Sequence, residues 1–159
     1  MTLIIRIFCF LVLAGGYSSA QSKKEVKKNS IKSSTATDTE NGKTLNSKKT
    51  IYDKSGETIE ETDYNKDGTL NTIHKFKYNK DGDMLEEEVF EAKTKLTEKR
   101  ISKYNSLNEK TEEQVFDAAG QKIKTHYYTY DAKGLKTERK TLDPSGKILT
   151  TRKYTYEYK

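Results

Sequence analysis

The chain has 159 residues, of which 32% are hydrophobic and 34% charged, with 30 Lys+Arg against 24 Asp+Glu, one Pro, one Cys and no Trp. That length suits one domain. Because 14 of the hydrophobic residues fall within the first twenty positions, the remainder is too apolar-poor for a large core or a multi-span membrane protein.

Residues 1–20 read as an export leader. Arg6 supplies the positive start, Ile7 to Ala14 the short apolar run, and Ser18-Ser19-Ala20 the small residues that precede cleavage, expected before Gln21. The run is too short to span a bilayer comfortably. Cys9 lies inside it and not after a small-residue box, so a lipoprotein signal is rejected, and the processed chain is left without a thiol or a disulfide. The expected destination is the general export pathway, with residence in the periplasm, on the outer surface or outside the cell.

Residues 21–48 are Lys, Ser, Thr and Asn with almost nothing apolar, and they read as a disordered basic linker. The segment 21–50 carries a net +5, whereas 51–159 is balanced at 21 basic and 21 acidic residues. The basic character therefore belongs to the tail. A solvated tether is the plain reading of such a tail, and an exported destination argues against nucleic acid as a partner.

From Tyr52 onward the sequence repeats. The anchors Tyr52, Tyr64, Tyr78, Phe90, Tyr104, Phe116, Tyr130, Leu142 and Tyr156 are spaced alternately by 12 and 14. Four residues after each of the first eight stands Gly56, Gly68, Gly82, Thr94, Asn108, Gly120, Gly134 or Gly146, mostly residues that tolerate positive φ. The repeat is thus a 26-residue double unit present four times. Tyr-Asp-Lys-Ser-Gly and its variants fit a type I turn closed by a glycine bulge, a hairpin loop. The Thr-, Tyr-, Ile- and Val-bearing stretches between suit strands. The predicted fold is all-β: an antiparallel up-and-down meander of about nine strands over 49–159, either an open twisted sheet or a small barrel.

Counting outward from the turns sets Glu60 opposite His74, Glu86 opposite Arg100, Glu112 opposite His126 and Glu138 opposite Arg152. Such a ladder of opposite charges stabilises a sheet and gives both histidines a structural task. In this register the even positions carry anchors and ladder. The odd ones carry Ile59, Ile73, Leu85, Val89, Ile101, Val115, Ile123, Leu135 and Leu149. Neither face is cleanly apolar, which implies a thin core or a single layer.

Tyr127, Tyr128, Tyr154, Tyr156 and Tyr158 make the C-terminal strands the most aromatic part and are the candidate binding residues. Asp63, Asn65, Asp67 and Gly68 resemble the start of a calcium loop, but its twelfth position is His74 where a Glu is needed. No metal and no cofactor is therefore expected. The chain offers no phosphate loop, nucleophile elbow or zinc-protease motif, and its carboxylates recur with the repeat, so no catalytic residues are named and an enzyme is not expected.

The units Tyr52-Asp53…Gly56, Tyr64-Asn65…Gly68-Thr69-Leu70, Tyr78-Asn79…Gly82-Asp83-Met84, Phe116-Asp117…Gly120 and Tyr130-Asp131…Gly134 resemble YD repeats, the Rhs-type repeats of bacterial secreted and surface proteins. The resemblance covers roughly 52–158. It implies hairpin-built β-strips at or outside the cell envelope and brings no catalytic residues. The regular 12/14 spacing, the small number of units and the lack of a following cargo domain depart from the long members, so toxin encapsulation is not carried over. The expected function is an exported, non-enzymatic binding or scaffolding module, with a protein or polysaccharide partner at the envelope. The alternatives are a small barrel carrying a ligand in its lumen or a purely structural envelope component.

Overall fold

The computed structural model describes residues 22–91 and 95–158. The expected leader, 1–20, lies outside them. One short helix, α1 (Lys23–Lys28), precedes ten strands: β1 (Ser33–Glu40), β2 (Lys43–Tyr52), β3 (Thr58–Tyr64), β4 (Leu70–Tyr78), β5 (Met84–Glu91), β6 (Lys95–Tyr104), β7 (Lys110–Asp117), β8 (Lys122–Tyr130), β9 (Lys136–Leu142) and β10 (Ile148–Lys153). The strands form one sheet in sequence order, every neighbour antiparallel. β1 and β10 are not paired with each other, so the sheet is an open meander and not a barrel. No helix among the described residues is long and apolar enough to cross a membrane.

The seven turns from Asp53 to Lys147 share one design. The N–H of the first residue donates to the carbonyl of the fifth, and the N–H of the fourth donates back to the first. In six of them the first residue's side-chain oxygen also accepts the N–H groups of the third and fifth, as Asp53 does from Ser55 and Glu57. The fourth residue takes positive φ, 86° at Gly56 and 59° at Asn108, which is why Gly or Asn recurs there.

The segment expected to be a disordered linker is structured. Ser22 and Glu25 form a reciprocal capping box at the start of α1, and Val26 is buried. α1 lies against the Asp53–Gly56 turn: Lys23 pairs with Glu57, and Tyr52 N donates to Lys32 O at 3.0 Å. β1 and β2 form a hairpin around Asn41 and Gly42, both at positive φ. That two-residue turn is the shortest and strongest hairpin signal a sequence carries. The sheet thus begins at Ser33, not at 49, and has ten strands.

The expected register is off by one, and the cause is a second irregularity in every hairpin. Next to each anchor the return strand holds one residue more than its partner. The extra residues are Ile59, Asn71, Leu85, Thr97, Thr111, Ile123, Thr137 and Leu149, and all but Thr97 stand three positions after the fourth residue of one of the seven turns. In place of Glu60, Glu86, Glu112 and Glu138, the residues facing His74, Arg100, His126 and Arg152 are Glu61, Glu87, Glu113 and Arg139. Parity shifts with them. Val89 and Val115 share the ladder face, while Ile73 and Ile101 sit on the other. Ile59, Leu85, Ile123 and Leu149 fall at the bulges and stay 38–53% exposed.

The 26-residue period now has a structural meaning. Tyr52, Tyr78, Tyr104 and Tyr130 lie on the ladder face, and Tyr64, Phe90, Phe116 and Leu142 on the opposite one. On the ladder face the phenols of Tyr78, Tyr104, Tyr130 and Tyr156 each donate to a carbonyl twenty residues back, on Thr58, Met84, Lys110 and Lys136, at 2.7–2.9 Å. The core is thin. Val26 and Val115 are the described side chains buried below 2% exposure, and Tyr52 is the only other buried hydrophobic residue described.

Candidate functional site

Across the ladder face the cross-strand partners line up in rows, and the rows repeat every 26 residues. One runs Phe76, Glu87, Arg100, Val115. The next runs Ser102, Glu113, His126, Thr141. The last runs Tyr128, Arg139, Arg152.

The acids of the first rows are fully engaged. Glu87 accepts from His74 Nδ1 at 2.9 Å and from Arg100 at 3.1 Å. Glu113 pairs with Lys110 at 2.9 Å and accepts a long bond from the Tyr128 phenol at 3.4 Å. Burial pushes the Glu113 carboxyl up, but the Lys110 bond and the charges of Lys110, Arg100 and His126 outweigh it, and its pKa is lowered. Glu61 pairs with Lys48 at 2.9 Å. His126 bonds Thr141 Oγ1 at 2.9 Å. Burial lowers its pKa, and Arg139, Lys124 and Arg100 add to that against the pull of Glu113.

The opposite face carries its own pairs. Lys77 and Lys99 hold Glu86, and Lys103 holds Glu112. The Lys77 and Lys99 bonds lead the causes that lower the Glu86 pKa. Glu138 is also on this face, with Lys140 at 3.0 Å. Of the residues named from sequence as the ladder, Glu60, Glu86, Glu112 and Glu138 therefore stand on the face away from His74, Arg100, His126 and Arg152.

The candidate tyrosines do not form one platform. Tyr127 faces the opposite side, between Glu112 and Lys140, and is 44% exposed. Tyr128 is on the ladder face, half-buried, and burial followed by the Glu113 charge pushes its phenol up to about 12. The Lys136 ammonium sits 4.7 Å from the Tyr128 ring centre and 5.9 Å from that of Tyr154, which joins these two rings through one cation. Tyr154 N donates to Thr137 O at 3.0 Å, so the chain after β10 still follows β9. Tyr156 is held by its bond to Lys136 O. Tyr158 is 66% exposed, with the Lys133 ammonium 4.3 Å from its ring centre.

The residues that sequence reasoning missed are Arg139, Lys124 and Lys136. Arg139 takes the place that Glu61, Glu87 and Glu113 hold in the earlier repeats, so the last row opposes two guanidiniums. Among the described residues neither Arg139 nor Arg152 makes an ion pair, and Arg139 Nε is buried with no hydrogen-bond partner. The signal was present: steps of 26 from Glu61 end on Arg139. Counting from Glu60 ends on Glu138 and hides it.

The calcium-like segment is a turn. Asp67 Oδ1 accepts from Thr69 N and Oγ1 at 2.9 and 2.6 Å, and Asp63 lies 3.4 Å from Lys48 Nζ. Among the described residues no group of three or more His, Cys, Asp or Glu is placed to hold a metal ion.

No family model matches the chain, and no curated protein matches it. It is similar in structure to a Bacteroides fragilis protein of unknown function at 13% identity, covering 80% of this chain and 96% of that one with a TM-score of 0.44. It is similar to a DUF3836 family protein from Parabacteroides distasonis at 18% identity, covering 71% and 91% with a TM-score of 0.26. It also resembles part of TarM at 14% identity and a TM-score of 0.33, covering 82% of this chain but only 22% of TarM.

Proposed function

We propose that this chain is an exported, non-enzymatic β-repeat module that binds or scaffolds other molecules at the cell envelope or outside the cell. One observation carries this reading: the sheet is open and a single layer, so among the described residues no second layer covers either face and no further strand pairs with β1 or β10. A protein or a polysaccharide is the expected partner, and the leader-like residues 1–20 supply the route out. Both histidines and the acids of the ladder are committed to hydrogen bonds or ion pairs within the sheet, which favours a structural over a catalytic use of them. The regular Tyr-Asp-x-x-Gly turns support kinship with YD-type repeats.

Expression of the complete chain in a bacterial host tests this. The mature protein is expected to begin at Gln21 by mass spectrometry and to sediment with purified envelope. An unprocessed chain that stays in the cytosol overturns the reading; a processed chain recovered outside the cell and not with the envelope places the module outside the cell.

A further inference from the structure

We infer that the C-terminal end of the ladder face binds an anionic glycan, a sugar chain carrying carboxylate or phosphate groups, with Arg139 and Arg152 as the oxyanion-binding pair. The inference rests on the binding-module reading above and gives it a site and a ligand class.

Three observations meet here. First, the repeat breaks its own electrostatic rule at one place. Glu61, Glu87 and Glu113 each face a basic residue and each is ion-paired, but their counterpart Arg139 faces Arg152. Like charges directly opposite on a sheet repel, and an anion between them removes that repulsion. Second, Arg139 Nε is buried and unpartnered. Buried donors are normally satisfied, and a planar guanidinium is the group best shaped to grip a carboxylate or phosphate through two bonds.

Third, the surroundings are cationic and aromatic. Lys124 and His126 share this face on β8, Lys136 on β9, and the strands β8–β10 place no carboxylate on it. On β7 Glu113 shares this face, and Lys110 and Tyr128 already hold it. Tyr128 partners Arg139 directly, and Tyr154 lies across Lys136 from it. Guanidinium beside tyrosine suits a charged sugar, whose oxyanion takes the hydrogen bonds and whose ring lies on the aromatic face.

The fold itself supplies the decisive variant. Arg139→Glu restores the acid that the other repeats carry, so it is expected to fold at least as well as the parent. The full chain is titrated with polygalacturonate, with a phosphomannan and with neutral dextran at low and at raised salt. The expected result is binding to one or both anionic polymers, weakened by salt, and no binding to dextran. Arg139→Glu is expected to weaken binding tenfold or more, and Arg152→Gln severalfold, with the melting temperature of R139E unchanged or raised. Lys153→Glu, the same charge change on the opposite face of β10, is expected to change affinity less than twofold. Binding to polygalacturonate alone assigns the carboxylate source, to the phosphomannan alone the phosphate source, and to both the shared oxyanion chemistry. Binding to neither, equal binding to dextran, or equal losses in R139E and K153E overturns the inference. If R139E still sediments with envelope as the parent does, the module reading stands and this site falls.

Discussion

The phenol of Tyr104 donates a 2.9 Å hydrogen bond to the backbone carbonyl of Met84. The same bond, twenty residues back, is made by Tyr78, Tyr130 and Tyr156, so it recurs once per 26 residues and ties each double unit to the one before it. Tyr104→Phe is expected to cost about 1 kcal/mol, the usual net worth of one such bond. Tyr104→Ala should cost more, because the ring packing is lost too. Urea denaturation of the two variants beside the parent checks this. Equal, near-zero losses would mean that the phenols are ornaments of the surface.

The thin core makes a sharp contrast between apolar positions. Val115 has no exposed surface, and Leu149 is 53% exposed at a bulge. Val115→Ala removes two buried methyl carbons and is expected to cost about 2 kcal/mol. Leu149→Ser is expected to stay within about 0.5 kcal/mol of the parent. Reversed magnitudes would place the bulges in the wrong residues.

How far the sequence reveals this fold depends on which feature is asked about. The turns are written in residue types: Asp or Asn to accept two N–H groups, and Gly56 or Asn108 to take positive φ. The antiparallel order, and the nine strands from β2 onward, follow from them. The bulges are not written that way. Ile59, Asn71, Leu85 and Thr97 share no chemistry, and the extra residue is fixed by backbone geometry around the anchor. One unseen residue per hairpin moved the ladder from Glu60 to Glu61 and exchanged the faces of β3, β5, β7 and β9 while leaving β4, β6 and β8 as expected. At the N-terminus, Asn41-Gly42 signalled a hairpin that the polar composition of residues 21–48 outweighed. The candidate site was half legible. The tyrosines stood out by type, whereas Arg139 emerges only once the register is right.

Stability should depend on pH through His126. Burial, helped by Arg139, Lys124 and Arg100, lowers its pKa from 6.5. The unfolded chain therefore holds the proton more tightly than the folded one. The stabilisation is full above 6.5 and is lost as the pH falls from there toward the folded value. Melting temperature is expected to drop on acidification through this range in the parent, and His126→Gln should flatten that slope. An unchanged slope in H126Q would assign the effect to other groups.

Two glycines separate backbone strain from packing. Gly56 and Gly120 both have positive φ, 86° and 77°. A Cβ at Gly120 meets nothing within 4 Å, whereas at Gly56 it would stand 2.5 Å from Lys23 O. Gly120→Ala should cost the left-handed penalty alone, about 1–2 kcal/mol. Gly56→Ala should cost more and should also release α1, seen as faster amide exchange at Val26 and Asn29. Equal costs and an undisturbed α1 would remove the helix from its place against the Asp53 turn.

The openness of the sheet underlies both the binding reading and the access to the face that carries Arg139 and Arg152, and one distance tests it. Thr37 on β1 and Thr151 on β10 are exposed and stand on the two edge strands. The chain's single cysteine is Cys9, so a protein that begins at Gln21 and carries Thr37→Cys/Thr151→Cys has only the two thiols to be spin-labelled. Ten strands at the usual spacing put the edges roughly 35–45 Å apart, and pulsed dipolar spectroscopy should return a distance in that range. A single distribution below about 20 Å would mean that β1 and β10 meet, and the open sheet would be contradicted.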